Sequence, residues 1–503
     1  MANAPHFSRA GAILALVVLG VAALGACSSS GHEAQGSETL PDSVTSPAGI
    51  DVPEAGAPEG GDAPPDDAPI AIDHLTTGRF VRAAHRTKDG GLVVVHEVPL
   101  HLKIDWGEPK RSIVWLDAQG HERARREATP GRQLLDVAVH RVSGDATLVE
   151  ASADGYFLVR LDERGLTRGE TPLVDGAILT DLPPLLPNES RSRVETMTHD
   201  TGRVAAHGER AFLGTRTGRH SVVGYWLTWT GASFVVDSRT LVVPAHAITP
   251  TALHGGSYDT FGQLDAHYGV SVAVDDAGVA WVGVEHARLE SGAMVRAHER
   301  VFGEKLVTDP DWLDAFVTRV SPSGQRLGTS VVSTPDDEQL YALRAIGTSV
   351  YALGRTEHWN ASGTGFDALV AKIDANGSVA VSSFDVEAGD IAFDVARAGN
   401  TLVVVGASGY SQNPFGASIS EESHAFAVRL EADGTVRALA APNGPRHNEA
   451  RVVLGDSGWG DRVATPRSIL VGGMLDGPGT HSADGDASLL RANGFVTLLS
   501  VPR

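Results

Sequence analysis

The chain has 503 residues, 62 acidic against 41 basic, for a formal net charge of −21, and it carries one cysteine. This acidic balance argues against nucleic acid as a partner, because nucleic-acid binding rests on cationic neutralisation of phosphates. A lone cysteine excludes an intrachain disulfide framework and any zinc site built from paired cysteines.

Residues 1–26 come first. Arg9 is the only Lys or Arg before position 79, and an apolar run follows from Gly11 to Leu24. The run is too short for a membrane span and has the flanks of an export signal. It ends in Leu24-Gly25-Ala26-Cys27, which resembles the lipobox of bacterial lipoprotein signals. The resemblance implies cleavage before Cys27, lipidation of that cysteine, and attachment to a membrane without crossing it, since two or more acyl chains anchor stably. Ser28, standing where Asp would hold a lipoprotein at the inner membrane, implies by the same resemblance transfer to the outer membrane. The expected location is the cell envelope, on the periplasmic side or at the cell surface. The alternative is an ordinary secretion signal with an incidental cysteine.

Residues 27–76 are a different material, rich in Gly, Pro, Ser and Asp. They hold ten acidic residues, Glu33, Glu38, Asp42, Asp51, Glu54, Glu59, Asp62, Asp66, Asp67 and Asp73, with no Lys or Arg. Such a segment buries too little apolar area to offset its chain entropy, and its like charges extend it. A disordered acidic tether is expected, leaving −12 of the net charge on residues 77–503.

From 77 to 503 short apolar strands alternate with Gly, Asp and Ser turns, which predicts an all-β fold. A first hairpin unit recurs from Phe80, Leu135, Val204, Val270, Tyr341, Phe393 and Val463. A second unit follows each copy. It is an alternating strand closed by a turn, clearest at Tyr156–Gly165, Asp314–Gly324, Asp367–Gly377 and His424–Gly434, and weaker at Ser112–Gly120, Ser221–Gly231 and Asp486–Gly494. Two hairpins repeated seven times predict a seven-bladed β-propeller of four-stranded antiparallel blades. The alternation places Phe316, Leu369 and Phe426 between blades and puts Arg160, Lys372 and Arg429 where their charge reaches water. The stretch from Asp314 to Gly377 resembles the bacterial β-propeller repeat called SBBP, found in secreted and surface proteins. The resemblance is good over 270–440 and looser elsewhere.

The seven repeats average about 61 residues each, against roughly 40–50 for compact blades, so the excess is expected in loops. By propeller topology the longest insertions, 244–267 and 286–313, share one face with loops at 357–366, 408–423 and 476–485. Their aromatic and polar residues, His254, Tyr258, Asp259, His267, Trp312, Trp359 and Tyr410, are the candidate ligand-binding set. The alternative is neutral insertion into a tolerant fold.

Catalytic motifs are few. Gly455-Asp456-Ser457-Gly458 resembles a serine-protease signature, yet the His85 that would serve it recurs as His207 in the repeat. His85, His140, His207 and Asp275 end successive inner strands. They are candidate metal ligands at one channel mouth, or else turn formers. No metal or other cofactor is implied. The expectation is a lipid-anchored binding or scaffold module for a protein or envelope glycan. The alternative is a polysaccharide lyase or glycoside hydrolase working from the loop face, which needs two facing carboxylates. A coat protein without a specific ligand is the third possibility.

Overall fold

The structure is a computed structural model, and it describes residues 72–97, 111–152, 155–174, 202–216, 221–244, 270–284, 291–307, 314–360, 363–387, 389–409, 423–431, 434–444, 447–455, 468–477 and 493–501. They form seven four-stranded antiparallel sheets. In six of them the strands follow chain order from the inner edge outward. The inner strands are Phe80–Arg86, Gln133–Val139, Arg203–His207, Val270–Val274, Asp337–Ile346, Ile391–Ala398 and His447–Leu454, heading blades I to VII. Each inner strand touches the inner strands of the blades on either side, and blade VII touches blade I. The sheets therefore close into a ring. The seven-bladed propeller expected from the repeat is what the chain forms.

The closure differs from the sequence reading in two ways. The fourth strand of blade VII is His74–Thr77 from the other end of the chain, paired antiparallel to Asn493–Ser500, with His74 opposite Val496. Asp73 fastens it, its Oδ2 accepting from Leu498 N at 2.9 Å and Thr497 Oγ1 at 3.1 Å. The ring thus begins ahead of residue 77. Blade VII also takes its inner strand from 447–454 and its third strand from 493–500, not from the stretches opening at Val463 and Asp486.

Between each pair of neighbouring blades lies one apolar cluster, so the core is seven separate seams. Phe316, Leu369 and Phe426 fill such seams as expected. Arg160 does not reach water: it is fully buried, its Nε bonded to Asp145 Oδ2 at 3.1 Å and its Nη2 to Glu209 Oε2 at 2.7 Å. Arg429 is buried as well, and of the three only Lys372 is exposed. A blade packs on both sides, so the polar step of its alternation meets another blade instead of solvent.

The connections divide by face. One face carries the turns that join first to second and third to fourth strands. All but the 455–467 connection are two to six residues long. The other face carries every remaining long connection, at 98–110, 175–202, 244–269, 285–314, 409–423 and 478–492. The 357–366 stretch is not a loop. Its strands run on through Asn360 and Gly363, with Trp359 paired to Thr364 in the ladder. Within 285–314 lies a helix, α1 (Ser291–Phe302). Val295 of α1 packs on the seam between blades III and IV. Just beyond it Glu304 receives both Nη atoms of Arg326 from the outer strand of blade IV, at 2.5 and 2.7 Å. This insertion is built onto the ring. No helix among the described residues is long and apolar enough to cross a membrane.

Candidate functional site

Five inner strands carry a β-bulge at the same level, near the insertion-bearing face. The extra residues are Arg82, Leu135, Tyr341, Phe393 and Arg451. A bulge leaves one residue out of the ladder and turns it aside. In blades V, VI and VII the second strand answers with glycine. A Cβ on Gly354 would lie 1.7 Å from Gln339 O, on Gly406 2.0 Å from Ile391 O, and on Gly473 1.9 Å from Glu449 O. In these three blades the bulge brings the inner backbone so close that only glycine fits opposite it, whereas in blades I and II the bulge faces His96 with Val95 and Glu150 with Val149.

One level deeper, charged groups on the inner strands tie neighbouring blades together. Arg344 of blade V grips Asp394 of blade VI with two hydrogen bonds, Nε to Oδ1 at 2.7 Å and Nη2 to Oδ2 at 2.5 Å. Asp394 Oδ2 also accepts from Val453 N of blade VII at 2.9 Å. Asp136, at the equivalent place in blade II, accepts from Val204 N of blade III at the same distance. His85 lies among these charges. Burial first, and then Arg344, push its pKa down to about 4, and its Nε2 is buried without a hydrogen-bond partner.

The mouth on the insertion-bearing side holds an arginine cluster that sequence reasoning missed. Glu97 Oε2 accepts from both Arg82 Nη1 at 3.0 Å and Arg111 Nε at 2.6 Å, while Arg111 Nη1 also reaches Leu135 O at 3.0 Å. Burial would raise Glu97, but Arg82 and Arg111 outweigh it and hold it at about 2. Repulsion from Arg111 is the largest influence on Arg82, whose pKa falls to about 9; Glu97 opposes the fall, and burial with Arg203 and Arg451 adds to it. Arg451 lies over Phe393 at 4.3 Å and Phe80 at 5.4 Å, and Phe393 meets the exposed Tyr341 edge to face at 5.9 Å. No local motif announces this cluster. Its members come from three blades, and the only sign in the chain is an arginine where other repeats have an apolar residue.

Beside it runs a chain of Ser423, His447 and Glu449. His447 Nδ1 meets Ser423 Oγ, and His447 Nε2 meets Glu449 Oε1 at 2.9 Å. The order suggests a nucleophilic triad, but all three are buried and Ser423 Oγ is also bonded to the backbone N and O of Asn448. The chain ties the entry of blade VII to the third strand of blade VI. Burial pushes Glu338 up to about 8, the range of a general acid, with Asp314 adding to the rise. It too is fully buried, and its Oε1 caps Thr334 N at 3.0 Å.

The four proposed metal ligands do not converge, and among the described residues no group of three or more His, Cys, Asp or Glu could hold a metal ion. His140 and Asp275 do share a turn position. His140 is locked between Gly208 O at 2.8 Å and Thr147 Oγ1 at 2.7 Å. Asp275 closes its own turn, accepting from Ala277 N and Val279 N at 2.9 Å and Trp281 Nε1 at 3.0 Å. His207 is exposed at the end of its strand, and His85 sits inside its strand facing the channel. The turn-former reading fits Asp275, and the apparent match among the four fails because His85 lies two residues ahead of its turn and His207 ends its strand before a two-residue turn. Cys27, His254, Tyr258, Asp259, His267, Trp312, Tyr410 and Ser457 lie outside the described residues, as does the side chain of Trp359.

The closed cycle of seven four-stranded blades makes this chain a β-propeller. No family model matches it, and no curated protein does. Similar solved structures include the quinohemoprotein alcohol dehydrogenase of Comamonas testosteroni, at 11% identity over 86% of this chain and 77% of that one, TM-score 0.40. The Dos1 propeller is 8% identical over 85% and 78% of the two chains, TM-score 0.39. A prolyl endopeptidase is 12% identical over 81% of this chain, TM-score 0.39, and this chain spans only 46% of its length.

Proposed function

We propose that the chain is a non-catalytic binding module, anchored through a lipid on Cys27 to the outer membrane and held off it by the acidic tether. The insertion-bearing face of its propeller then takes a partner protein or an envelope glycan. One observation carries this reading: the asymmetry of the two faces. One is closed mostly by short turns bonded to themselves, whereas the strand ends joined by the long connections lie on the other, the side of the charged channel mouth. Long connections on a rigid scaffold are where recognition is expected. The resemblance of the repeat to the SBBP type of secreted and surface proteins agrees with such a role. An enzymatic reading would draw on Glu338, and its complete burial is why binding is preferred.

Two measurements test the proposal. The full chain should capture a reproducible partner from envelope extract, and replacing 244–267 and 286–313 with short turns should abolish capture; capture that survives replacement would refute the assignment of the face. Metabolic labelling with palmitate should mark the wild-type chain and not Cys27→Ala, which should move to the soluble fraction. An unlabelled wild type would remove the anchor.

A further inference from the structure

We infer that the channel mouth binds an oxyanion, a carboxylate or sulfate or phosphate group carried by the ligand, with Arg82 as its principal contact. The inference rests on the reading that the insertion-bearing face is the functional one, and it names the chemistry that this face would recognise.

Arg82 and Arg111 share a single carboxylate oxygen, Glu97 Oε2. A carboxylate satisfies one guanidinium through two parallel hydrogen bonds, and two guanidinium groups on one oxygen leave a positive charge unmatched. Arg203 and Arg451 add to the repulsion at Arg82, although Arg451 is itself paired with Glu449. Arg82 is the member that can reach a ligand. It is the bulged residue of its strand, its side chain is 31% exposed against 6% for Arg111, and only its Nη1 is engaged by Glu97. An arrangement of like charges held this closely is stabilised by a counter-charge from outside. Guanidinium is the group that suits planar or tetrahedral oxyanions.

The surroundings favour a group attached to a larger body over a free ion. Tyr341, 40% exposed, offers its ring at the mouth, edge to face on Phe393, while Phe80 and Phe393 are buried with Arg451 over them. An exposed aromatic ring beside a cationic group suits a ligand with a hydrophobic face and an anionic substituent, as an acidic sugar has. The rest of residues 77–503 carries a net negative charge. The excess of guanidinium groups over Glu97 makes the mouth a local reversal of sign, which draws an anionic ligand.

The test uses the full chain and three probes: sodium sulfate, polygalacturonate and neutral dextran, each against chloride at matched ionic strength. Thermal unfolding and titration calorimetry should show sulfate and polygalacturonate raising the transition and binding, with dextran inert. Arg82→Gln should weaken binding by about tenfold or more, the scale of losing one charge-assisted hydrogen bond. Arg123→Gln, on an exposed outer strand, should bind as wild type. Sulfate binding without polygalacturonate binding would mean a site for a free anion and would overturn the attached-ligand claim. In chloride Arg82→Gln should be at least as stable as wild type, because Glu97 and Arg111 are then balanced. A variant that is destabilised or unfolded in chloride would make Arg82 structural and overturn the inference, and so would unchanged binding by Arg82→Gln. If polygalacturonate fails to bind while envelope capture still depends on the loops, this inference falls and the proposed function stands.

Discussion

At the scale of single residues, the two aspartates at matching places in blades II and VI show how the repeat encodes its own stitching. Each stands before Val and Ala, in Asp136-Val137-Ala138 and Asp394-Val395-Ala396, and each accepts an N–H from the next inner strand. The triplet stands in the chain, yet the sequence reading assigned these aspartates no role, because the contact joins strands of different blades. The bulges were not legible either, since a bulge is a misfit between two strands and neither strand announces it alone. Asp394→Ala should lower stability by about 1–3 kcal/mol, the cost of leaving the Val453 N–H without its acceptor and releasing the partly exposed Arg344, as measured by urea unfolding.

The histidines give a pH dependence with a definite sign. His85 and His140 are held neutral down to about 4, and His96 to about 3, in each case chiefly by burial. Unfolded histidine takes up its proton near 6.5, so these groups favour the fold above that value and lose it as pH falls through the folded values. Glu338 and Asp390, both raised by burial to about 8, act oppositely: they keep protons in the fold that the unfolded chain releases, so stability falls as pH rises from about 4 to 8. His96 has both ring nitrogens buried without partners and stacks on His74 at 5.8 Å. His96→Phe should therefore flatten the acid side of the stability profile by up to about 1.4 kcal/mol per pH unit between pH 4 and 6.5, in unfolding titrations.

Among the elements, the one that closes the ring was hidden. His74–Thr77 belongs by composition to the acidic segment before it, and its partner strand lies at the other end of the chain. Local pattern cannot report such a pairing. Blade VII was misread for a related reason: its first connection is long, so the hairpin spacing that marked the other blades was lost there. α1 escaped notice because one three-turn helix is a weak signal inside a long polar insertion. Deleting 74–77 should expose an unpaired edge on Asn493–Ser500 and cause self-association in size-exclusion chromatography. It should speed unfolding while leaving folding nearly unchanged, since so distant a contact forms after the transition state; stopped-flow kinetics in urea would read both limbs.

The whole molecule was the most legible level. Seven copies of a double hairpin sufficed for blade number and, in the six blades that follow chain order, for strand order, because a radial arrangement of short sheets is how such repeats bury both faces. Which residues line the mouth was not legible, since the ring assembles them from blades far apart in sequence. Sidedness is the claim on which the functional reading depends, and hydrogen exchange of the full chain, alone and with solubilised envelope extract, tests it directly. New protection should fall at the strand ends of the insertion-bearing face, around 80–82, 111–113, 203–204 and 447–451. Protection confined to the opposite turns, around 86–92, 140–146 and 275–280, would contradict it.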